Sequence, residues 1–437
     1  MAIVQPRTAS GFNEYLPSEQ IEFNRLVDIV RSTYERYGFS PIDTPDVELS
    51  EVLLAKGGGE TEQEVYRFER GRNDLTLRYD LTVPLARYAA QHESDLVFPF
   101  RRYHIGKVHR AERAQAGRFR EFYQADIDII GSDSPIIDAE FPAVINEIFE
   151  KFAFGEFTIR INNRLILNGF FEGIGLADVS KEVLRTIDKM EKISRSELIA
   201  ELRKIKLTND QVNKVIEFTE INGDNDAILA KLKATESSSK LFEEGVDKLT
   251  TLIETLRTMS VPESRFKIDL KIARGLDYYT GTVYETVLDK YPELGSVCSG
   301  GRYDDLASYY TKTKLPGVGI SIGLTRLFYK LREAGVIKPT RQSPADVVVM
   351  PVSEDQIDYA ISVAAKLREA DIATMLYTEQ DQMKKKLRYA DRMGFRYVLV
   401  VGPSEQDSKM IAVKDMIDGS LRDIAIGEIV KAMKVQG

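Results

Sequence analysis

The densest chemistry in this sequence lies in Ala273-Arg-Gly-Leu-Asp-Tyr-Tyr-Thr-Gly-Thr-Val-Tyr-Glu285 and in Ser299-Gly-Gly-Arg-Tyr-Asp-Asp305. Arg274 offers a planar cation suited to a carboxylate or a phosphate. Tyr278 and Tyr279 are adjacent, so on a strand they point to opposite faces, one inward and one towards a ligand. Gly275, Gly281, Gly300 and Gly301 permit unusual backbone angles and close approach of a substrate. Two Gly-containing hairpins with surface tyrosines would read the same way one peptide at a time.

A second cluster is Arg110-Ala-Glu-Arg-Ala-Gln-Ala-Gly-Arg-Phe-Arg-Glu-Phe-Tyr-Gln124. Arg110, Arg113, Arg118 and Arg120 lie in or beside one hairpin. Such a cluster repels itself unless an anion joins it, and guanidinium forks bind phosphates bidentately. Phe122 offers a flat face for a base. An exposed hairpin with Glu112 and Glu121 balancing the arginines is the simpler alternative. Gln124 and Asp128 are four apart on the strand that follows and share a face.

Several classes are excluded by what is missing. The three histidines (His92, His104, His109) and the single cysteine, Cys298, form no metal-ligand cluster, and no metal ligand is assigned. His104 and His109 are five apart, not at the i, i+4 spacing of a helical zinc pair; all three histidines read as structural or solvent-facing. There is no G-x-x-x-x-G-K-[ST] loop and no Rossmann glycine fingerprint, so a nucleotide site must be built differently. A net charge of −8 argues against a broadly basic nucleic-acid-binding surface, though local patches still steer binding and RNA is also read by shape. No apolar run approaches the roughly 20 residues that cross a bilayer. Met1-Ala-Ile-Val-Gln-Pro-Arg7 lacks the features of a secretory signal. One cysteine forms no intrachain disulfide, and a cytoplasmic location is expected.

These residues need a scaffold, and 437 residues are too many for one core, which predicts about two to four domains. Residues 18–37 read as an amphipathic helix stopping near Gly38, followed by an extended segment with Pro41 and Pro45. Tyr66–Phe68 and Leu75–Tyr79 alternate like a hairpin, and 81–90 reads as a short helix with Pro84 in its first turn. Segments 98–110 and 119–130 read as a long antiparallel pair. Residues 172–262 are rich in Lys, Glu and Leu with helical periodicity. Strand pattern returns at 266–273, and 315–327 reads as a buried strand entering a helix. After a linker at 338–344, strands at 345–350, 372–377 and 397–401 alternate with helices at 355–370 and 381–393. That predicts a small α/β domain with a largely parallel sheet.

The two signature peptides resemble those of histidyl-tRNA synthetases. R-x-E-R followed by G-R-F-R-E-F resembles motif 2 of class II aminoacyl-tRNA synthetases, Gly323-Leu-Thr-Arg326 resembles motif 3, and the helix-then-proline segment resembles motif 1. The resemblance spans nearly the whole chain. It implies an α+β catalytic domain, a class II antiparallel sheet flanked by helices, in two parts at residues 1–171 and 263–335. It implies a helical insertion at 172–262, a C-terminal α/β anticodon-binding-type domain at 345–437, and a homodimer. The implied reaction activates L-histidine with ATP and transfers it to tRNA(His), with Mg2+ bridging phosphates and its ligands unassigned.

By the same resemblance, Asp80, Leu81 and Thr82 in Leu77-Arg-Tyr-Asp-Leu-Thr-Val-Pro84, with Gln124, form the α-amino end of the site. Asp128 and Tyr279 grip the imidazole nitrogens. Arg274 touches the substrate carboxylate and the α-phosphate, and Tyr278 and Tyr303 close the pocket. Arg110 holds the α-phosphate, Glu112 the adenine side and Arg118 the terminal phosphates. Phe122 stacks on adenine, and Arg326 covers its other face. Arg110 and Arg274 are the catalytic pair. His109 stands where an aromatic residue is common and Ala114 where proline is common, which bears on the motif 2 loop but removes no ligand. Lys384, Lys385, Lys386 and Arg388 form a basic helical patch, either a solvated face or a tRNA contact. Two other readings compete: a synthetase-like regulatory subunit of ATP phosphoribosyltransferase, and a class II ligase for another amino acid. The intact signature peptides weigh against both, and the C-terminal domain against the first.

Overall fold

The computed structural model describes residues 3–55, 64–113, 117–190, 193–272, 279–304 and 306–434. The chain divides into two compact units, residues 1–13 with 26–336, and residues 14–25 with 337–437.

In the first unit the strands are, in chain order, β1 (Ser40–Pro41), β2 (Val47–Leu49), β3 (Arg67–Arg70), β4 (Asn73–Leu77), β5 (Phe100–His109), β6 (Glu121–Ile130), β7 (Phe157–Asn163), β8 (Phe266–Ile268), β9 (Thr282–Leu288), β10 (Cys298–Tyr303) and β11 (Gly317–Gly323). Eight of them form one sheet in the order β1-β5-β6-β11-β10-β9-β7-β8. The six central strands pair antiparallel, with short parallel strands at both edges. β2, β4 and β3 make a separate small sheet.

The period-2 alternation of β6 sorts its side chains. Ala125, Ile127 and Ile129 are fully buried on one face, in register with Ile322, Ile320 and Val318 of β11. On that side lies the helix Pro135–Phe152, whose Phe141 stacks on Tyr284 at 6.2 Å. Its Asp138 is buried and holds two strands at once. The Thr282 hydroxyl donates to its carboxylate at 2.6 Å and Arg302 pairs with it at 2.5 Å, while the Tyr284 hydroxyl donates to the Asp138 carbonyl at 2.7 Å. Gln124, Asp126 and Asp128 occupy the opposite face.

Between β7 and β8 runs a series of helices from Arg164–Gly173 to Lys240–Thr258. Ser194 with Glu197 and Thr208 with Gln211 form capping boxes that satisfy free backbone donors at two of these starts. The Lys240–Thr258 helix packs on Arg164–Gly173 and on Pro135–Phe152, so it covers the core sheet as well as its own neighbours.

The second unit holds β12 (Val347–Pro351), β13 (Thr374–Leu376), β14 (Tyr397–Val401), β15 (Met410–Asp415) and β16 (Leu421–Ala425), in the order β13-β12-β14-β15-β16. Val347, Val349, Leu399 and Val401 pack against Val363 and Leu367 of the helix Ile357–Glu369. The expected parallel sheet is limited to the first three strands, since β15 and β16 add an antiparallel hairpin. Gly419 in its turn, at φ 74°, takes the left-handed conformation that glycine tolerates. The Asp418-Gly419 pair is the sequence signal for that hairpin.

Candidate active site

The open face of the central sheet carries a cavity of about 210 Å3 lined from β6, β9, β10 and β11, the loop before the helix Thr82–Gln91, and the base of the β5–β6 hairpin. That is smaller than the ~300–1,000 Å3 of sites for drug-sized ligands. It is bounded by Asp80, Thr82, Arg110, Gln124, Asp126, Asp128, Tyr279, Glu285, Ser299, Tyr303 and Ser321.

Asp128 is held from two sides. The Tyr303 hydroxyl donates to its Oδ1 at 2.5 Å, and the fully buried Arg102 guanidinium lies 2.6 Å from its Oδ2. Burial raises the Asp128 carboxyl, and Arg102 and Tyr303 draw it back towards the ionised form. Arg102 is itself anchored on the Leu81 carbonyl at 3.1 Å. Gly319 directly faces Asp128 across β6 and β11, and a Cβ there would land on the Asp128 carboxylate. Only glycine leaves this acid room beside the strand.

Asp80 accepts the backbone N–H groups of Thr82 (3.2 Å) and Val83 (2.9 Å), so it caps the first turn of the helix Thr82–Gln91 while facing the cavity. Burial raises its carboxyl, and those two donors with Arg110 offset the effect. Gln124 Nε2 donates to Ser321 Oγ at 2.9 Å, leaving Gln124 Oε1 buried and without a hydrogen-bond partner among the described residues.

Arg110 sits between two rings, its guanidinium carbon 4.3 Å from the Tyr79 ring centre and 5.2 Å from that of Phe122. Its Nε donates to the Tyr79 carbonyl at 3.3 Å. The base of the hairpin is tied down by Arg120, which donates to Glu112 O at 3.0 Å and whose backbone N–H donates to Gly11 O at 2.7 Å. His109 is buried beside Glu121, 3.2 Å away, in the hairpin stem.

Asp80, Thr82, Gln124, Asp128, Tyr279, Tyr303 and Arg110 therefore converge on one cavity. Leu81 does not line it: the side chain is core, and its carbonyl supports Arg102. Glu112, Arg118, Phe122 and Arg326 stand outside it. Arg118 lies 3.5 Å from Glu112, and Arg326 donates to the Leu294 carbonyl at 2.7 Å. Arg274, Tyr278 and Ala114 lie outside the described residues. In the second unit Lys386 leaves the basic patch. It is fully buried and its ammonium donates to the Pro351 carbonyl at 2.6 Å, while Lys384, Lys385 and Arg388 are exposed. A helical period explains this, since Lys386 and Ala390 share the buried face of the helix Met383–Met393.

Sequence reasoning gave no role to Arg102, Asp126 or Ser321, nor to Glu285 and Ser299, which bound the two peptides it singled out. Asp126 was findable, because it lies on the same alternating face as Gln124 and Asp128. Arg102 enters opposite Asp128 across the β5–β6 hairpin, and Ser321 through the strand order that sets β11 beside β6.

A cavity walled by acids and a fixed arginine, on an antiparallel sheet with this strand order, can be set against known proteins. The histidyl-tRNA synthetase family profile matches residues 11–327, and an anticodon-binding-domain profile matches 346–436. The chain belongs to the histidyl-tRNA synthetase family. It is 52% identical to a histidine–tRNA ligase of Clostridium tetani over 435 residues, covering 99% of each chain. It superposes on the histidyl-tRNA synthetase of Nostoc sp. PCC 7120 with a TM-score of 0.93, at 40% identity and 100% coverage of both chains. A Bacillus halodurans structure described as an ATP phosphoribosyltransferase regulatory subunit/histidyl-tRNA synthetase shares the fold, with a TM-score of 0.76 at 19% identity, 92% of this chain and 99% of that one being covered. As a member of this family the chain uses the class II catalytic fold, an antiparallel sheet flanked by helices with an added α/β domain.

Proposed function

We propose that the protein is a histidine–tRNA ligase that activates L-histidine with ATP and then esterifies the 3′ end of tRNA(His). The observation that carries this reading is the acceptor-lined cavity ending on Asp128, in a chain matched along its full length by a histidine–tRNA ligase. Imidazole presents two ring nitrogens on different sides, and a fixed carboxylate at one end with a tyrosine hydroxyl at the other selects it. Asp128 and Tyr279 take those roles, with Tyr303 and Arg102 holding Asp128 in place. Asp80, Thr82 and Gln124 receive the α-ammonium, and Tyr278 with Tyr303 bounds the pocket.

In the first step a histidine carboxylate oxygen attacks the ATP α-phosphorus, and the bond to pyrophosphate breaks with its electron pair leaving on pyrophosphate. No protein nucleophile is required. Positioning and stabilisation of charge on the phosphate oxygens provide the acceleration, with Arg110 and Arg274 on either side of the α-phosphate. The rings of Tyr79 and Phe122 fix the plane of Arg110 in advance. Glu112 and Phe122 bound the adenine, Arg326 covers its other face, and Arg118 reaches the terminal phosphates. Among the described residues no group of three or more His, Cys, Asp or Glu side chains converges on a metal position. Magnesium would come with ATP and offset charge on its phosphates. In the second step the tRNA hydroxyl takes the histidyl group and AMP leaves.

Residues 172–262 are assigned as an insertion between catalytic parts 1–171 and 263–335, and 345–437 as the anticodon-binding part, with Lys384, Lys385 and Arg388 as tRNA contacts. A homodimer is supported by the half-exposed Val47, Leu49 and Phe68 on the small sheet. Light scattering should then give twice 49.5 kDa. A cytoplasmic location accords with the single cysteine; among the described residues no helix is long and apolar enough to cross a membrane.

The test is ATP–pyrophosphate exchange with each standard amino acid in turn. Exchange with histidine alone, collapsing in Arg274→Ala, supports the reading. Histidine binding without exchange for any amino acid would favour a regulatory relative.

A further inference from the structure

One carboxyl on the cavity floor has no part in the mechanism above. Asp126 lies between Gln124 and Asp128 on β6, lines the cavity and is 2% exposed. Its Oδ1 has no hydrogen-bond partner among the described residues, and neither has the neighbouring Gln124 Oε1. Native proteins rarely leave buried acceptors unpaired, and two on one wall of a cavity call for an incoming donor. The register extends this wall sideways: Asp126 faces Ser321 on β11, Ser321 faces Ser299 on β10, and Ser299 faces Glu285 on β9.

Among the described residues the charges around Asp126 are unbalanced, and Glu285 adds a further acid to the wall. Asp80, Asp126 and Asp128 all line the cavity. Arg102, on β5, is committed to Asp128 at 2.6 Å. Arg110 also lines the cavity, between its two rings. His104, opposite Asp126 on β5, is held neutral by burial and by Arg102 and Arg78. From the helix Pro17–Arg36, Tyr34 has its hydroxyl on the Ala125 carbonyl at 3.0 Å, and burial keeps both that hydroxyl and the Cys298 thiol of β10 protonated. Burial, with Asp128 and Asp80 nearby, pushes the Asp126 carboxyl up to about 7, while Arg102 and Ser321 oppose the rise. At pH 6.5 to 7 half or more of this acid therefore keeps its proton in the absence of substrate.

We propose that Asp126 completes the receptor for the substrate α-ammonium by giving up its proton as that cation enters, so that histidine binding is coupled to proton release. The O–H bond of the Asp126 carboxyl breaks, the proton passes to solvent, and the resulting carboxylate accepts an ammonium N–H beside Gln124 Oε1. One positive charge enters and one leaves, so the buried site keeps its balance. This rests on the histidine reading above.

The test is titration calorimetry of L-histidine into the full-length protein, near pH 6.5 to 7, in buffers of different ionisation enthalpy. Imidazolepropionate, which keeps the ring and lacks the ammonium, serves as control. Once the ring ionisation of each free ligand is subtracted, the wild type should release more protons with histidine than with imidazolepropionate, and Asp126→Asn should abolish that difference while weakening histidine about tenfold. Equal release by the two ligands in the wild type after that subtraction, or an unchanged difference in Asp126→Asn, would overturn the proposal. The wild-type comparison stands even if the variant does not fold. Failure of the wild type to bind histidine at all is a separate result, which overturns the substrate assignment and this coupling with it.

Discussion

His104 and Asp126 face each other across the β5–β6 ladder, and burial drives both towards their neutral forms. Their effects on stability have opposite signs. His104 is held at about 3, against an ordinary 6.5, so between those values the unfolded chain binds a proton that the native one refuses. Stability from His104 is present above pH 6.5 and is lost as pH falls towards 3. Asp126 keeps its proton to about 7, against an ordinary 3.8, so its contribution falls as pH rises through that interval. His104→Gln should therefore flatten the acid side of a plot of Tm against pH. Asp126→Asn should raise Tm more at pH 8 than at pH 4. Parallel shifts at all pH values would contradict both assignments.

Asp138 and Arg302 form a buried ion pair, each side chain about 4% exposed or less. Removing one partner leaves an uncompensated buried charge, which costs about 3–5 kcal/mol. Asp138→Ala also frees Thr282 on β9, so it should lose stability on that scale in urea titrations. Histidine-dependent exchange should fall with it, because β9 and β10 carry the pocket. A loss below about 1 kcal/mol, the scale of an exposed pair, would show that the pair is dispensable.

Gly319→Ala places a methyl group against the Asp128 carboxylate, at a position where φ does not demand glycine. The methyl also falls 2.7 Å from the Ile127 backbone carbonyl, so β6 and β11 must part slightly and some stability should be lost in urea titration, with the acid displaced from its bond to Tyr303. The expected result is a rise of about tenfold or more in KM for histidine with KM for ATP little changed, read by pyrophosphate exchange. A tenfold change corresponds to about 1.4 kcal/mol. Equal effects on both substrates would place Asp128 elsewhere than at the amino-acid end.

The basic helix of the second unit separates packing from recognition. Lys386→Ala removes a buried ammonium from the Pro351 carbonyl and should lower the unfolding temperature. Replacing the exposed Lys384, Lys385 and Arg388 together by Glu should weaken tRNA binding and steepen nothing in thermal unfolding. Histidine activation without tRNA should be unchanged. Filter binding at two salt concentrations reads the difference, since phosphate contacts are lost with salt.

Local rules took the reading a long way. Period-2 alternation put Gln124 and Asp128 on one face, and helical periodicity located the helices within a few residues. The same alternation contains Asp126, which went unread because nothing nearby in the chain announces the cavity it lines. Lys386 was taken with its neighbours as a charge run, although its spacing from Ala390 places it on the packed face. Tertiary structure alone decided the rest. The strand order β6-β11-β10-β9 sets Asp126, Ser321, Ser299 and Glu285 on one rung although they are far apart in sequence. The register of the β5–β6 hairpin sets Arg102, an unremarked strand residue, directly opposite Asp128. Short-range steric and hydrogen-bonding preferences determine which way a side chain points along its own strand. Which strands become neighbours depends on burying the whole sheet against its helices, and that choice settles the charge balance of the site.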